Sequence, residues 1–303
     1  MLGAKTLARA KINLFLSVGP LREDGYHEIR SVMQALELSD ELYFRRTDGS
    51  RGRITLRCSD ENLPGSGENL VWKAVDTFAS ETGVMDEGGL EVFINKRIPI
   101  GSGLAGGSAD AAAALLAMNH IWELEMPLAE IERIAALVGS DVPFCLHGGT
   151  AVVTGRGERV EPLESLPSFQ VVIASPGEQA STAEVYRRFD SVAAESGLPG
   201  EKELEQAFSA LLEGLKKGDF EAISANLHNS LESATIAGDR LELFKSTALE
   251  AGASAALMTG SGPAVFALAR TLEEAAEVAW ELEKIAPVTI ITGFADRGAQ
   301  IAG

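Results

Sequence analysis

The sequence predicts an α+β protein in two parts, and three observations carry that reading. Strand patterns come in a run near the N-terminus and helical patterns follow in runs, instead of alternating as a doubly wound parallel sheet requires. A strand, a glycine-rich run and an alanine-rich helix then succeed one another between residues 90 and 122. Finally, the character of the chain changes near residues 155–165, and a new βα pattern opens at Phe169–Ala174. A length of 303 residues suits two domains. The change near 155–165 sets them at residues 1–160 and 161–303.

In order, residues 7–18 and 41–57 read as strands, the second passing through a turn at Asp48-Gly49-Ser50, with the polar segment Arg22–Glu28 between them. Leu70, Val71, Ala74, Val75 and Phe78 give residues 69–82 a helical period. A strand at Leu90–Ile94 leads to the glycine run, a helix at Ala109–Trp122 and a second helix at about 128–138. After Gly148-Gly149 comes a strand pair around 150–163 that turns at Gly155-Arg156-Gly157. The second part reads as helices near 201–216, 219–233 and 239–251, a strand at Ala264–Ala269, a helix at Glu273–Ile285 and a strand at Val288–Phe294.

Composition narrows the function. Twenty-six Lys and Arg against 44 Asp and Glu leave a formal charge of -18, which repels nucleic acid and anionic membrane at long range. Local cations remain: Lys5, Arg9 and Lys11 near the N-terminus, and Lys96 and Arg97 just before the glycine run. Taken singly, each reads as a solvated surface cation. Cys58 and Cys145 form no CxxC and suit a reducing compartment as small apolar filler. His27, His120, His147 and His228 show no zinc spacing. The apolar run Ile12–Val18 is short and interrupted by Asn13 and Ser17, so it reads as a strand and not a leader. The expectation is a cytoplasmic protein without nucleic-acid or membrane partners, a monomer or weak homodimer.

Pro99-Ile100-Gly101-Ser102-Gly103-Leu104-Ala105-Gly106-Gly107-Ser108 is the richest local signal. It holds both G-x-G-x-x-G and G-x-x-x-x-G-G-S. A dinucleotide fingerprint needs a second parallel strand ending in an acid about 20 residues on, and the chain there is helical in period. A P-loop needs its lysine, and Gly107 stands in that place. The shared physics survives. Closely spaced glycines let backbone N–H groups approach an anion, and the following helix adds its dipole. Ser108 is placed to cap that helix or to ligate a metal.

Three more segments give the run a context: Ala10-Lys11-Ile12-Asn13-Leu14, Gly139-Ser140-Asp141-Val142-Pro143-Phe144 and Thr259-Gly260-Ser261-Gly262-Pro263-Ala264-Val265-Phe266. With the glycine run they resemble, in order and spacing from about residue 7 to 294, the motifs of the GHMP kinases. Asp24-Gly25-Tyr26-His27 and Ser140–Phe144 are most similar to the branch that acts on a cytidyl diphosphate alcohol in the non-mevalonate route to isoprenoids.

The resemblance implies a two-domain GHMP kinase fold: an N-terminal domain with a ribosomal protein S5 domain 2-like βαβ arrangement and a ferredoxin-like C-terminal domain. It implies ATP as phosphoryl donor with Mg2+, and a 2-hydroxyl as acceptor. It assigns Asp141 as catalytic base with Lys11 as its partner, and Pro99–Ser108 with Ala109 as the ATP loop. Asn13, Tyr26, His27, Thr182 and Tyr186 fall to the cytidyl substrate, and the metal ligands stay open. One departure stands in the loop, where the family reads G-L-G-G-G-S-S and this chain has Gly103-Leu104-Ala105-Gly106-Gly107-Ser108-Ala109. Ala105 is expected to need a negative φ, and Ala109 lacks a hydroxyl for phosphate or metal.

The chemistry fits these residues. Phosphoryl transfer asks for positioning, charge neutralisation and a group to take the alcohol's proton. Asp141 lies in an apolar stretch, so its carboxylate should be partly buried and partnered, and Lys11 is a suitable partner. Singly, Asp141 also fits a capping turn and Lys11 an edge strand. An aromatic and an imidazole after the Asp24-Gly25 turn can stack on a base and read its edge. Rival readings are a homoserine or mevalonate type of kinase, against which Tyr26-His27 speaks, and a non-catalytic relative, which would be expected to lose Lys11 or Asp141.

Overall fold

The computed structural model describes residues 3–48, 52–61, 63–84, 88–164, 169–197, 200–235 and 237–302. Gly49 and Ser50 of the expected turn lie outside them. The first two strands, β1 (Gly3–Leu21) and β2 (His27–Thr47), form one long antiparallel pair. The sequence suggests the second strand only from residue 41. Its earlier part is hidden because Ser31 and Gln34 interrupt the apolar run, yet both are buried with partners. Ser31 Oγ donates to Phe15 O at 2.6 Å, and Gln34 Nε2 donates to Ala295 O at 3.1 Å.

This pair is the spine of an eight-stranded sheet. β3 (Ile54–Cys58) and β4 (Gly89–Asn95) extend it beside the end of β2, while β5 (Thr150–Gly155) and β6 (Arg159–Pro162) extend it beside the start. Two short later strands return to β1: β8 (His228–Asn229) runs parallel to it and β12 (Gln300–Ala302) antiparallel. Over the sheet lie α1 (Leu70–Thr82), α2 (Gly106–Ile121), α3 (Leu128–Val138) and α4 (Val142–His147). α2 is buried nearly all round, which its alanines allow by letting α1, α4 and β1 approach closely.

The second sheet is antiparallel, in the order β11 (Val288–Gly293), β7 (Gln170–Ser175), β10 (Val265–Ala269), β9 (Ala255–Met258). Its strands are apolar on both faces, and alternation divides them. Val171, Ile173, Phe266 and Leu268 join the core of the first sheet, together with Phe208, Leu211 and Leu215 of α6 (Glu201–Lys217) and Phe220 and Ile223 of α7 (Phe220–Ala225). Val172, Ala174, Val265 and Ala267 pack instead with α8 (Gly238–Glu250) and α9 (Leu272–Leu282).

The helix expected at 219–233 is broken. After α7 the chain forms β8 and a 3-10 turn at Ser230–Ala234, because Asn229 Oδ1 accepts from Leu231 N (2.9 Å) while its Nδ2 donates to Met258 O and Gly260 O. α5 (Thr182–Ser196), α4, β9 and β12 were not legible in the sequence. Cys145 is buried and Cys58 half-buried, and both are free. Among the described residues no helix is long and apolar enough to cross a membrane.

Candidate active site

A cleft of about 1020 Å³ opens beside β1 and β2 of the first sheet. It is lined by β1, the 22–28 turn, the starts of α2, α4 and α5, and the 260–261 loop. Of the residues singled out above, Lys11, Asn13, Tyr26, His27, Asp141, Thr182 and Tyr186 reach it, as does the glycine run except Leu104. Leu104 and Ala109 are fully buried beneath the loop.

The loop is fastened to β1. Lys11 N donates to Leu104 O at 3.1 Å, where β1 is irregular and β2 does not claim that N–H. Lys11 Nζ donates to Gly103 O (3.0 Å) and to Asn13 Oδ1 (2.7 Å), and stands 3.9 Å from Asp141 Oδ2. Lys11 is nearly sealed, with 4% of its side chain exposed, whereas Asp141 keeps 31%. Asn13 Nδ2 in turn donates to Ser31 Oγ at 2.8 Å, so this amide orients Lys11 as well as facing the cleft. Gly103 has φ +83°, and a Cβ there would lie 2.1 Å from Thr259 O. Only glycine lets the two loops interlock.

α2 begins at Gly106, three residues before the expected start. Ser108 therefore lies in the first turn and does not cap it. Ala105 takes the N-cap position with φ +57°, against the negative φ expected of it, and offers no side-chain cap. The turn is imposed from both sides, by the burial of Leu104 and by the helix that follows. The first N–H groups of α2 are thus left for a ligand, at the positive end of a 16-residue helix.

Lys96 corrects the sequence reading more sharply. Its Nζ bonds Asp40 Oδ2 at 2.5 Å and Asp110 Oδ2 at 2.8 Å, all three side chains being sealed. Asp40 Oδ1 also accepts from Arg97 N (2.5 Å) and Ile98 N (2.9 Å). Burial pulls the ammonium down, but the carboxylates of Asp110 and Asp40 outweigh it and leave Lys96 above its ordinary value. Burial pushes the Asp110 carboxyl well up, with Asp40 adding to it and Lys96 opposing. Arg97 does stay at the surface, paired with Glu41 at 3.1 Å.

At the other end of the cleft the aromatic residues gather. Tyr26 is half exposed, and His27 is buried beside Tyr186, with ring centroids 5.2 Å apart. His27 Nδ1 donates to Gly19 O at 2.9 Å, and Nε2 stands 3.3 Å from Asp190 Oδ1. Burial, and then the Asp141 charge, push the Tyr186 phenol up, so it stays neutral. Thr182 Oγ1 lies 3.1 Å from Ser261 Oγ, joining α5 to the 260–261 loop. Arg156 and Asn69, which the sequence did not flag, also line the cleft. Asn69 could have been found as an N-cap, since its Oδ1 accepts from Val71 N.

Known proteins resemble the chain over most of its length. Residues 69–149 match the model of the GHMP kinases N terminal domain, and residues 211–286 the GHMP kinases C terminal model. The chain is 39% identical over 295 residues to the 4-diphosphocytidyl-2-C-methyl-D-erythritol kinase of Caldanaerobacter subterraneus subsp. tengcongensis, covering 97% of this chain and 98% of that one. It is 44% identical over 274 residues to the enzyme of the same name from Pelotomaculum thermopropionicum, covering 90% and 91%. A crystal structure of 4-(cytidine 5'-diphospho)-2C-methyl-D-erythritol kinase superposes with a TM-score of 0.77 at 33% identity, over 96% of this chain and 99% of the other. The homoserine kinase of Cytophaga hutchinsonii shares the fold, with a TM-score of 0.77 at 21% identity over 100% of this chain and 98% of its own.

Proposed function

The chain belongs to the GHMP kinase family, and for the ATP-dependent phosphorylation of 4-diphosphocytidyl-2-C-methyl-D-erythritol that it carries out we propose a division of labour along the cleft. The observation that carries it is the place of Lys11, whose one ammonium touches the phosphate loop at Gly103 O and faces Asp141.

The N–H groups at the start of α2 hold the nucleotide phosphates. The cytidine lies at the far end, its base on Tyr26 and Tyr186 with His27 at its edge. The 2-hydroxyl then reaches the centre. Its proton passes to Asp141 as its oxygen bonds the γ-phosphorus, and the bond from that phosphorus to the bridging oxygen of ADP breaks. The 3.9 Å between Lys11 and Asp141 leaves the carboxylate free to take an incoming hydroxyl, whereas a tight pair would occupy it. Lys11, whose ammonium lies between the glycine run and Asp141, faces the charge on the transferring group.

Mg2+ fits this arrangement as a partner of the nucleotide phosphates. Such an ion keeps several waters and needs few protein ligands beside substrate phosphates, and a hydroxyl in the first turn of a phosphate-binding helix can be one of them. Ser108, in the first turn of α2 and lining the cleft, is the residue that would hold it. When bound, the ion neutralises phosphate charge.

The test is ADP release with a panel of alcohols. The cytidyl diphosphate should drive it, and homoserine, mevalonate and galactose should not. Turnover of homoserine with none of the cytidyl substrate would overturn the reading.

A further inference from the structure

The turn between β5 and β6 touches both ends of the acceptor site. Gly155 N donates to Glu28 Oε1 at 3.1 Å, which ties the turn to the start of β2 just after Tyr26-His27. A Cβ on Gly157 would stand 3.1 Å from the Cβ of Ser140, the neighbour of Asp141. Between them Arg156 places its guanidinium over the Tyr26 ring, 5.0 Å from the centroid. Its Nη2 donates to Ala136 O at 2.8 Å, in the last turn of α3.

The backbone of Tyr26 is already fixed by its own turn, where Tyr26 N donates to Asp24 Oδ1 (3.1 Å) and Tyr26 O accepts from Arg22 N (2.7 Å). Its side chain is half exposed, and among the described residues Arg156 supplies the one ring contact to it. A half-exposed ring on a surface turn would otherwise sample several rotamers, and a ligand that stacks on it would have to order it.

We propose that Arg156 is a positioning residue for the acceptor: its guanidinium, held by Ala136 O, covers one face of Tyr26 and presents the other to the nucleobase. The inference rests on the reading of Tyr26 as the surface on which the base stacks. A guanidinium over a ring is worth a few-fold to about thirtyfold in affinity, depending on how far the pair is desolvated. Lysine keeps the charge but neither the planar stacking nor the fork that lets Arg156 hold ring and carbonyl together.

The experiment is steady-state kinetics of Arg156→Met, Arg156→Lys, Tyr26→Ala and the double variant Tyr26→Ala/Arg156→Met, with both substrates varied. Arg156→Met should raise KM for the cytidyl substrate about fivefold to tenfold, leaving KM for ATP within about twofold and kcat close to wild type. Arg156→Lys should fall between. Tyr26→Ala should raise the same KM at least as much, and adding Arg156→Met to it should change nothing further. If Tyr26→Ala leaves that KM unaltered, the reading of Tyr26 itself fails. If Tyr26→Ala raises it while Arg156→Met does not, or if the two effects simply multiply, Tyr26 stands and the role of Arg156 is refuted. A uniform fall in kcat, in both affinities and in Tm would mark Arg156 as merely structural and also refute it.

Discussion

Two lysines flank the phosphate loop, each facing carboxylates, and they are held in opposite ways. Lys96 is locked: Asp40 and Asp110 bond it at 2.5 and 2.8 Å, all three side chains being buried although Lys96 and Asp110 border the cleft. Lys11 is equally hidden, but its carboxylate partner is 3.9 Å away and partly open to the cleft. In the closed cluster the ammonium is held by two carboxylates, and only Asp110 Oδ1 is left without a partner among the described residues. An open pair has lone pairs left for a third party, which in the mechanism proposed above is the acceptor hydroxyl. Tightness of an ion pair therefore separates scaffolding from chemistry within one site, since a buried pair is retained for reasons other than net stability.

The most severe way to break this contrast is Asp141→Asn. Loss of the proton acceptor should lower kcat about a thousandfold, within the usual span for a positioned base. Nucleotide binding, measured by titration calorimetry, should survive, because the α2 N–H groups are untouched. Wild-type turnover would remove Asp141 from the chemistry.

The lysine on the closed side should fail differently. Lys96→Met strands Asp40 without its cation. The cost should be about 3 kcal/mol, at the low end for a broken buried pair, since Asp110 can already carry a proton. Thermal or urea unfolding measures it. A loss of activity without loss of stability would place Lys96 in the chemistry instead.

These two lysines also show what the sequence could and could not reveal. That Lys11, Asp141 and the glycine run belong together was legible because each sits in a short segment of distinctive residue types, and the structure brings all three to one cleft. Lys96 stood beside the same run and read as a surface cation. Its partners come from β2 and α2, 56 and 14 positions away, so no local pattern reports them. The same holds for Arg156, whose ring partner is on another turn. In the fold, the 90–138 segment was legible from the apolar run of β4, the alanine-rich composition of α2 and the helical period of α3. The first half of β2 was not, because buried polar residues broke its pattern, and α5 was not, because few of its residues are buried.

A finer test of the closed cluster uses pH. The folded Asp110 carboxyl lies well above its ordinary value of 3.8, while in the unfolded chain it returns there. The folded state thus holds the proton more tightly. Its stabilising contribution is complete below the ordinary value and declines as pH rises towards the raised one. Asp110→Asn keeps an acceptor for Lys96 and removes the titration. The Tm of wild type minus that of the variant should therefore fall as pH rises above 4. A difference that stays flat across that range would mean Asp110 is not the proton carrier.

The smallest effect concerns the residue between the two lysines. Ala105 follows Leu104, whose carbonyl takes the Lys11 N–H, and precedes Gly106, where an added Cβ would lie 3.1 Å from Lys96 Nζ. It is the point at which the loop passes from the open pair to the closed one, with φ +57°. An alanine in that conformation costs about 1 kcal/mol relative to glycine. Ala105→Gly should recover about that much, raising Tm by roughly 2 °C in a chain of this size. The phosphate-binding N–H groups would keep their positions, so KM for ATP should stay within about twofold. If Tm rises and KM for ATP climbs with it, the left-handed alanine is holding the loop in its binding shape, and its strain serves the open side of the site. If neither changes, the turn at Ala105 is fixed wholly by Leu104 and α2.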